Sequence, residues 1–187
     1  MDKKEFDFDG RKIYTHKQAF NRRENLAIYD LVVNAQFTRT NIDLYLINNK
    51  DRDAKWWSVI DPQSELSSII NPKYMEIIDD IDWNKVGITG QYINYGTSNT
   101  VDFIHADVIE NKKSAYTLLH YVNHTWNINW HGYTLFYDDN CEDVIHGEAP
   151  DPGKLVLFDS SIQHSSTAPS VIAEYPRFTI ATKIFLR

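Results

Sequence analysis

Pro152-Gly153-Lys154-Leu155-Val156-Leu157-Phe158-Asp159 is the stretch on which the reading of the chain turns. Pro-Gly is a strong turn signal, and the apolar run behind it has the short length of a strand. The same texture extends on both sides, from Val86 onward: short β-branched and aromatic segments with turn residues between them. Strands are predicted over 87–95, 102–107, 115–123, 133–137, 143–147, 154–159, 163–165 and 178–186. Further upstream the pattern changes, and the first ~85 residues read as mainly helical by periodicity. Thr15 is the expected N-cap of a helix over 16–35, with Phe20, Leu26, Ala27, Tyr29, Leu31 and Val32 on its apolar side. A short strand is expected over 37–47. Asp61-Pro62 opens a second helix carrying Leu66, Ile69 and Ile70; Pro72 is expected to end it, and a further short helix to cover 72–81. The chain shows no internal repeat and no low-complexity linker. The expected fold is mainly β with N-terminal helices, its core a double-stranded β-helix of the jelly-roll, cupin-like type. One domain, 1–187, is expected, with 1–85 as the helical layer and 86–187 as the core.

Composition narrows the function. The formal net charge of -7 argues against a nucleic-acid surface, whose usual footprint is strongly basic. Arg22-Arg23 and Lys112-Lys113 are small basic clusters that read as solvated surface. No apolar run approaches the roughly 20 residues that span a bilayer. The first residues, Met-Asp-Lys-Lys-Glu-Phe-Asp, lack the apolar stretch of a secretory signal. Cys141 is the single cysteine and cannot form an internal disulfide. The cytoplasm is the expected compartment.

The chemistry begins at Phe103-Ile104-His105-Ala106-Asp107. On a strand, alternate side chains share a face, so His105 and Asp107 point the same way and Ala106 stays clear. A third ligand must come from elsewhere. His164, 59 residues beyond His105, stands at the start of another predicted strand. Two imidazoles and one carboxylate occupy one face of an octahedron and leave the other open, the facial triad of non-haem iron(II) oxygenases. A lone His-x-Asp is weak, and a lone histidine in a strand is more often a hydrogen-bonded structural residue than a ligand. His124, His131 and His146 are rivals as ligands. His120 alternates away from its neighbours toward the opposite face, and His16 is expected at the surface.

At this point the chain resembles the prolyl 4-hydroxylase-like branch of the 2-oxoglutarate/iron(II) oxygenases, including small members encoded by bacteria and phages. The resemblance covers about residues 86–187 and rests on several segments in order. Tyr92-Ile93-Asn94-Tyr95-Gly96 precedes the His105-Ala106-Asp107 pair. Tyr116 to Asn123 is similar to the family's strand ending in Tyr-Leu-Asn, and Trp126 to Tyr137 to its Trp-Gly-Gly-Glu segment. Residues 152–159 resemble the strand before the distal histidine. His164 is followed by the turn Ala168-Pro169-Ser170, and Arg177-Phe178-Thr179 matches an Arg-x-Ser/Thr. Two departures stand out: His131-Gly132-Tyr133 replaces Gly-Gly-Glu, and the collagen-type enzymes have lysine where Arg177 stands.

The resemblance implies an Fe(II)- and 2-oxoglutarate-dependent dioxygenase. Such an enzyme uses O2 to hydroxylate an unactivated C–H bond and releases succinate and CO2, with ascorbate a candidate reductant. His105, Asp107 and His164 would be the catalytic metal ligands. Arg177 would grip the far carboxylate of 2-oxoglutarate, because a guanidinium is always charged and binds carboxylates bidentately. Thr179 shares its face, as do Ala181 and Lys183, the fallback cation. Tyr121 would donate its hydroxyl to the same carboxylate, as in relatives of this type. Tyr95 would line the pocket near the iron, against a competing reading as a packed core tyrosine. Trp126 and Trp130 read as packing aromatics first and as the rim of an entrance second. The substrate is a peptide, with peptidyl proline one option, or a small molecule. For a phage-borne gene the compartment would be the host cytoplasm. Two other readings compete: a cupin-type metal enzyme without 2-oxoglutarate, and a non-catalytic jelly-roll binding module.

Overall fold

Asp9-Gly10 turns the chain back on itself near its start. Both residues have positive φ, 50° and 80°, the geometry of a two-residue type I′ hairpin. The turn joins β1 (Asp2–Phe8) to β2 (Arg11–Lys17) in antiparallel register. This computed structural model describes residues 2–39, 56–107 and 115–187.

The hairpin displaces the expected helix start. Thr15 and His16 lie in β2, and α1 (Arg22–Val33) begins behind Asn21 instead. Asn21 Oδ1 accepts from the amides of Arg23 and Glu24, while Glu24 Oε2 accepts from the Asn21 amide. That reciprocal capping box satisfies donors that the first helical turn leaves unpaired. His16 is fully buried rather than at the surface, its Nε2 2.8 Å from Asp80 Oδ2.

After α1 comes β3 (Thr38–Arg39), the described part of the strand expected over 37–47, whose later residues lie outside the described ones. It pairs with β4 (Trp56–Val59), which the sequence reading did not anticipate. α2 (Glu65–Ile77) is capped by Ser64 and runs straight through Pro72, so one helix stands where two were expected. A proline inside a helix costs about 3 kcal/mol. Leu66, Ile70, Tyr74 and Ile77 bury one face of the helix on both sides of Pro72. At about 1.5–3 kcal/mol per buried large side chain, that face offsets the cost.

The β region follows expectation closely. Its strands are β5 (Val86–Gly96), β6 (Ala115–Tyr121), β7 (Thr134–Tyr137), β8 (Val144–Glu148), β9 (Leu155–Asp159), β10 (His164–Ser166) and β11 (Arg177–Leu186). The strand expected over 102–107 is reduced to an antiparallel bridge, His105 against His164. Among the described residues, a major sheet has the order β1-β2-β9-β6-β11-β5-β4-β3 and a minor sheet β10-β7-β8. The two sheets form the expected double-stranded β-helix core.

The strands of the major sheet serve two cores, because successive side chains leave opposite faces. From β6 and β11, Leu118, Ile180 and Ile184 pack with Ile28, Val32 and Ile70 of the helices. Leu119, Tyr121 and Ala181 face inward and pack with Phe136 of β7 and Phe158 of β9. No helix among the described residues is long and apolar enough to cross a membrane.

Candidate metal centre

The inner face of the major sheet ends in a cavity of about 350 Å³ between the two sheets. His105, Asp107 and His164 line it together with Thr117, Thr134, Arg177, Thr179 and Lys183.

Backbone pairing brings the first three together. The His105 amide donates to His164 O at 3.0 Å, and the His164 amide returns the bond to His105 O at 2.9 Å. The Asp107 amide donates to Ser160 O at 2.8 Å. Each imidazole then donates Nδ1–H to a carbonyl two residues back: His105 to Phe103 O at 2.8 Å, His164 to Ile162 O at 2.9 Å. Those bonds set the tautomer in which Nε2 carries the lone pair that a metal ligand requires. His105 Nε2 stands 3.7 Å from Asp107 Oδ1, and His164 Nε2 3.4 Å from Asp107 Oδ2. Two nitrogens and a carboxylate oxygen lie within 4.8 Å of one another, close enough to hold one cation. The side chains of His164 and Asp107 are 8% and 10% exposed against 36% for His105, so the centre opens on the His105 side.

Asp107 is held ionised. Burial opposes its charge, but the neighbouring His164 and Lys183 outweigh burial and put its carboxyl well below the usual carboxylate range. Its Oδ2 accepts the Thr117 hydroxyl at 2.7 Å, and Thr117 is linked to Ser160 Oγ at 3.0 Å. The Lys183 ammonium pairs with the same oxygen. None of Thr117, Ser160 or Lys183 was assigned to Asp107 from sequence. A strand-alternation argument puts Thr117 and Lys183 on the inner faces of their strands, and the register pairs them. Only the fold reveals what they touch.

Arg177 is 5% exposed. Its Nη2 donates to Thr134 Oγ1 at 2.9 Å, and its Nε is buried without a partner. Among the described residues no carboxylate pairs with it. A buried guanidinium lacking a counter-anion is costly, and an anionic ligand would relieve that cost. Gly132, at φ +76°, lies against it: a Cβ there would stand 3.1 Å from Arg177 Cδ. A side chain in the place of Gly132 would therefore crowd the guanidinium stem.

The remaining predicted residues divide. Thr179 and Tyr95 line the cavity, Tyr95 also packing edge-on against Phe178 at 5.3 Å between ring centroids. Tyr121 is fully buried behind it; its hydroxyl donates to Thr134 Oγ1 at 2.8 Å, and its ring lies 5.4 Å from the Arg177 guanidinium carbon. Tyr121 thus reaches the cavity through Thr134, the hydroxyl that Arg177 also uses. Trp126 and Trp130 pack edge to face, 5.5 Å apart, away from the cavity lining. His124 sits between Tyr29 and Tyr175, His146 bonds Glu148, and His131 occupies a positive-φ position; none joins the triad. Trp57 of the unanticipated β4 completes the cavity wall beside Tyr92.

A family model of the 2OG-Fe(II) oxygenase superfamily matches residues 91–184. A search of curated proteins returns no match. Among solved structures, the chain is similar to a Pseudomonas putida prolyl-4-hydroxylase, with TM-score 0.70, 12% identity and coverage of 94% of this chain and 92% of that one. It is also similar to a Trichoplax adhaerens prolyl hydroxylase bound to a hypoxia inducible factor peptide fragment, with TM-score 0.65, 17% identity and coverage of 92% and 83%. A third is HygX from Streptomyces hygroscopicus with nickel and 2-oxoglutarate bound, with TM-score 0.67, 8% identity and coverage of 93% and 82%. At these identities the likeness is one of fold.

Proposed function

The chain belongs to the 2OG-Fe(II) oxygenase superfamily, and from that premise we propose a hydroxylase whose iron is held by His105, Asp107 and His164. The observation that carries the assignment is their convergence on a cavity that also holds a buried, anion-seeking Arg177. The donor set fits iron(II): two neutral imidazoles and one carboxylate, with half the coordination sphere left for co-substrates. When bound, the iron supplies dioxygen activation coupled to decarboxylation of 2-oxoglutarate to succinate and CO2.

The chain's own residues do the rest. The Phe103 and Ile162 carbonyls keep the two rings oriented with Nε2 toward the centre. Thr117 engages one oxygen of Asp107 and leaves the other to face the cation. Arg177 receives the far carboxylate of 2-oxoglutarate, assisted by the hydroxyls of Thr134 and Thr179; Tyr121 orients Thr134 from below. Tyr95 and Trp57 wall the cavity and exclude water from it. We propose a peptide side chain as substrate, with peptidyl proline the first to try. Two of the similar structures are prolyl hydroxylases, and one holds a peptide. Ascorbate is proposed as the reductant that keeps the iron ferrous.

The test is succinate release from 2-oxoglutarate under reduced, aerobic conditions, with and without iron and with a panel of prolyl peptides. Iron-dependent succinate is the expected result. No succinate with any substrate, from folded and iron-loaded protein, would overturn the hydroxylase reading in favour of a binding module. An iron-dependent reaction indifferent to 2-oxoglutarate would favour a cupin-type enzyme.

A further inference from the structure

Lys183 stands at the metal centre itself. Its ammonium pairs with Asp107 Oδ2 and lies 3.4 Å from Thr117 Oγ1, the other donor to that oxygen. The pairing is set by the fold: Lys183 of β11 and Thr117 of β6 are register partners, both on the inner face. The side chain is 22% exposed, so the ion pair is largely shielded from solvent screening.

The charges lining the cavity explain what such a lysine does. Among the described lining residues the fixed charges are Asp102, Asp107, Arg177 and Lys183, two negative and two positive. The described lining is therefore neutral before anything binds. A divalent cation alone leaves two uncompensated positive charges in a partly buried site, and a dicarboxylate dianion removes both. Without Lys183 the empty cavity carries one negative charge and attracts a cation unaided. Coulomb terms at these short separations are large wherever the effective dielectric constant is near 20 rather than 80.

We infer that Lys183 is the internal counter-cation of Asp107, a charge-setting residue whose positive charge opposes divalent-metal binding and favours the dianionic co-substrate. This rests on the proposed triad. Its charge repels the cation and attracts the dianion, each by a term that does not depend on whether the other is bound. The ammonium plays no part in proton transfer; its contribution is charge and placement.

The experiment measures Mn(II) affinity by calorimetry, anaerobically, without and with saturating 2-oxoglutarate. It compares the wild type with Lys183→Met, Lys183→Arg and Asp107→Ala. Lys183→Met is expected to bind Mn(II) at least ten-fold more tightly than wild type when 2-oxoglutarate is absent. The tighter binding should persist with 2-oxoglutarate saturating, because the Lys183–metal repulsion is there with or without the dianion. Lys183→Arg keeps the charge and is expected to stay within about three-fold of wild type. A purely structural role would loosen metal binding in Lys183→Met, so unchanged or weaker affinity overturns the inference. So does a gain that vanishes when 2-oxoglutarate is saturating. Asp107→Ala separates the two levels. If it keeps wild-type affinity, the triad is wrong. If it loses the metal while Lys183→Met gains nothing, the triad stands and only the charge role of Lys183 falls.

Discussion

His120 on β6 and His164 on β10 are both buried histidines, with opposite fates. On the helical face, His120 is fully buried with both ring nitrogens engaged: Nδ1 accepts the Tyr74 hydroxyl at 3.1 Å, and Nε2 donates to Asn25 Oδ1 at 3.0 Å. It also stacks on Phe20 at 4.3 Å. Burial pushes its pKa down to about 3, so it stays neutral and structural. On the cavity side, His164 is nearly as buried, yet only Nδ1 is tied to the backbone, and Nε2 points at Asp107. Burial alone does not distinguish a ligand from a core histidine. The unspent nitrogen beside a carboxylate does.

That contrast can be broken at several points. The largest effect is expected for Asp107→Ala. It should lower iron affinity more than about 100-fold and abolish turnover, since it removes a ligand where lost orienting partners already cost 10–100-fold. Its thermal unfolding should stay within a few degrees of wild type. Wild-type turnover in that variant would remove Asp107 from the site.

Arg177→Ala should come next, weakening 2-oxoglutarate binding by about 30- to 100-fold, the scale of a charge-assisted pair worth 2–3 kcal/mol. Iron affinity should change far less. A titration showing unchanged co-substrate affinity would move the carboxylate to Lys183.

His120→Leu should behave oppositely to both. It strands the Tyr74 hydroxyl and the Asn25 carbonyl oxygen, and should cost about 2–4 kcal/mol of stability by chemical denaturation. Metal affinity should not move. A change in metal binding there would erase the distinction between the two faces.

The smallest effect is in the acid limb of stability. His120 has a folded pKa depressed from 6.5 to about 3, so the unfolded chain takes up a proton that the native state refuses. Its contribution is complete above about pH 6.5 and falls as pH drops toward 3, by at most about 1.4 kcal/mol per pH unit. Glu148 acts in the same direction but lower. Burial opposes its charge, and bonds from His146, Thr15 and Lys154 reverse that and hold its pKa at about 2. His120→Leu should flatten the slope between pH 6 and 4 relative to wild type. Parallel slopes would show that His120 protonates as readily when folded as when unfolded.

The β core was legible because alternation is local: β5, β6, β7, β8, β9, β10 and β11 all lie where turn residues and short apolar runs placed them. The N-terminal part carries competing local signals. Asp9-Gly10 is a strong two-residue hairpin signal, and Asn21-x-x-Glu24 a capping box, and both prevail over the apolar periodicity of 16–35. Pro72 failed as a helix stop because burial of Tyr74 and Ile77 against the sheet outweighs a missing amide, and burial is a property of the fold.

By itself the sequence determined the facing pair His105 and Asp107, the candidacy of His164, and the shared inner face of Arg177, Thr179 and Lys183, because strand periodicity orients neighbours along one chain. Only the tertiary structure decided which nitrogen each histidine ties to the backbone, that Thr117 and Lys183 meet on one oxygen of Asp107, and that Tyr121 reaches Arg177 through Thr134. Each of those depends on the pairing of β6 with β11, the His105–His164 bridge, or the packing of the two sheets. Contacts between segments distant in the chain leave no periodic trace in the order of residues.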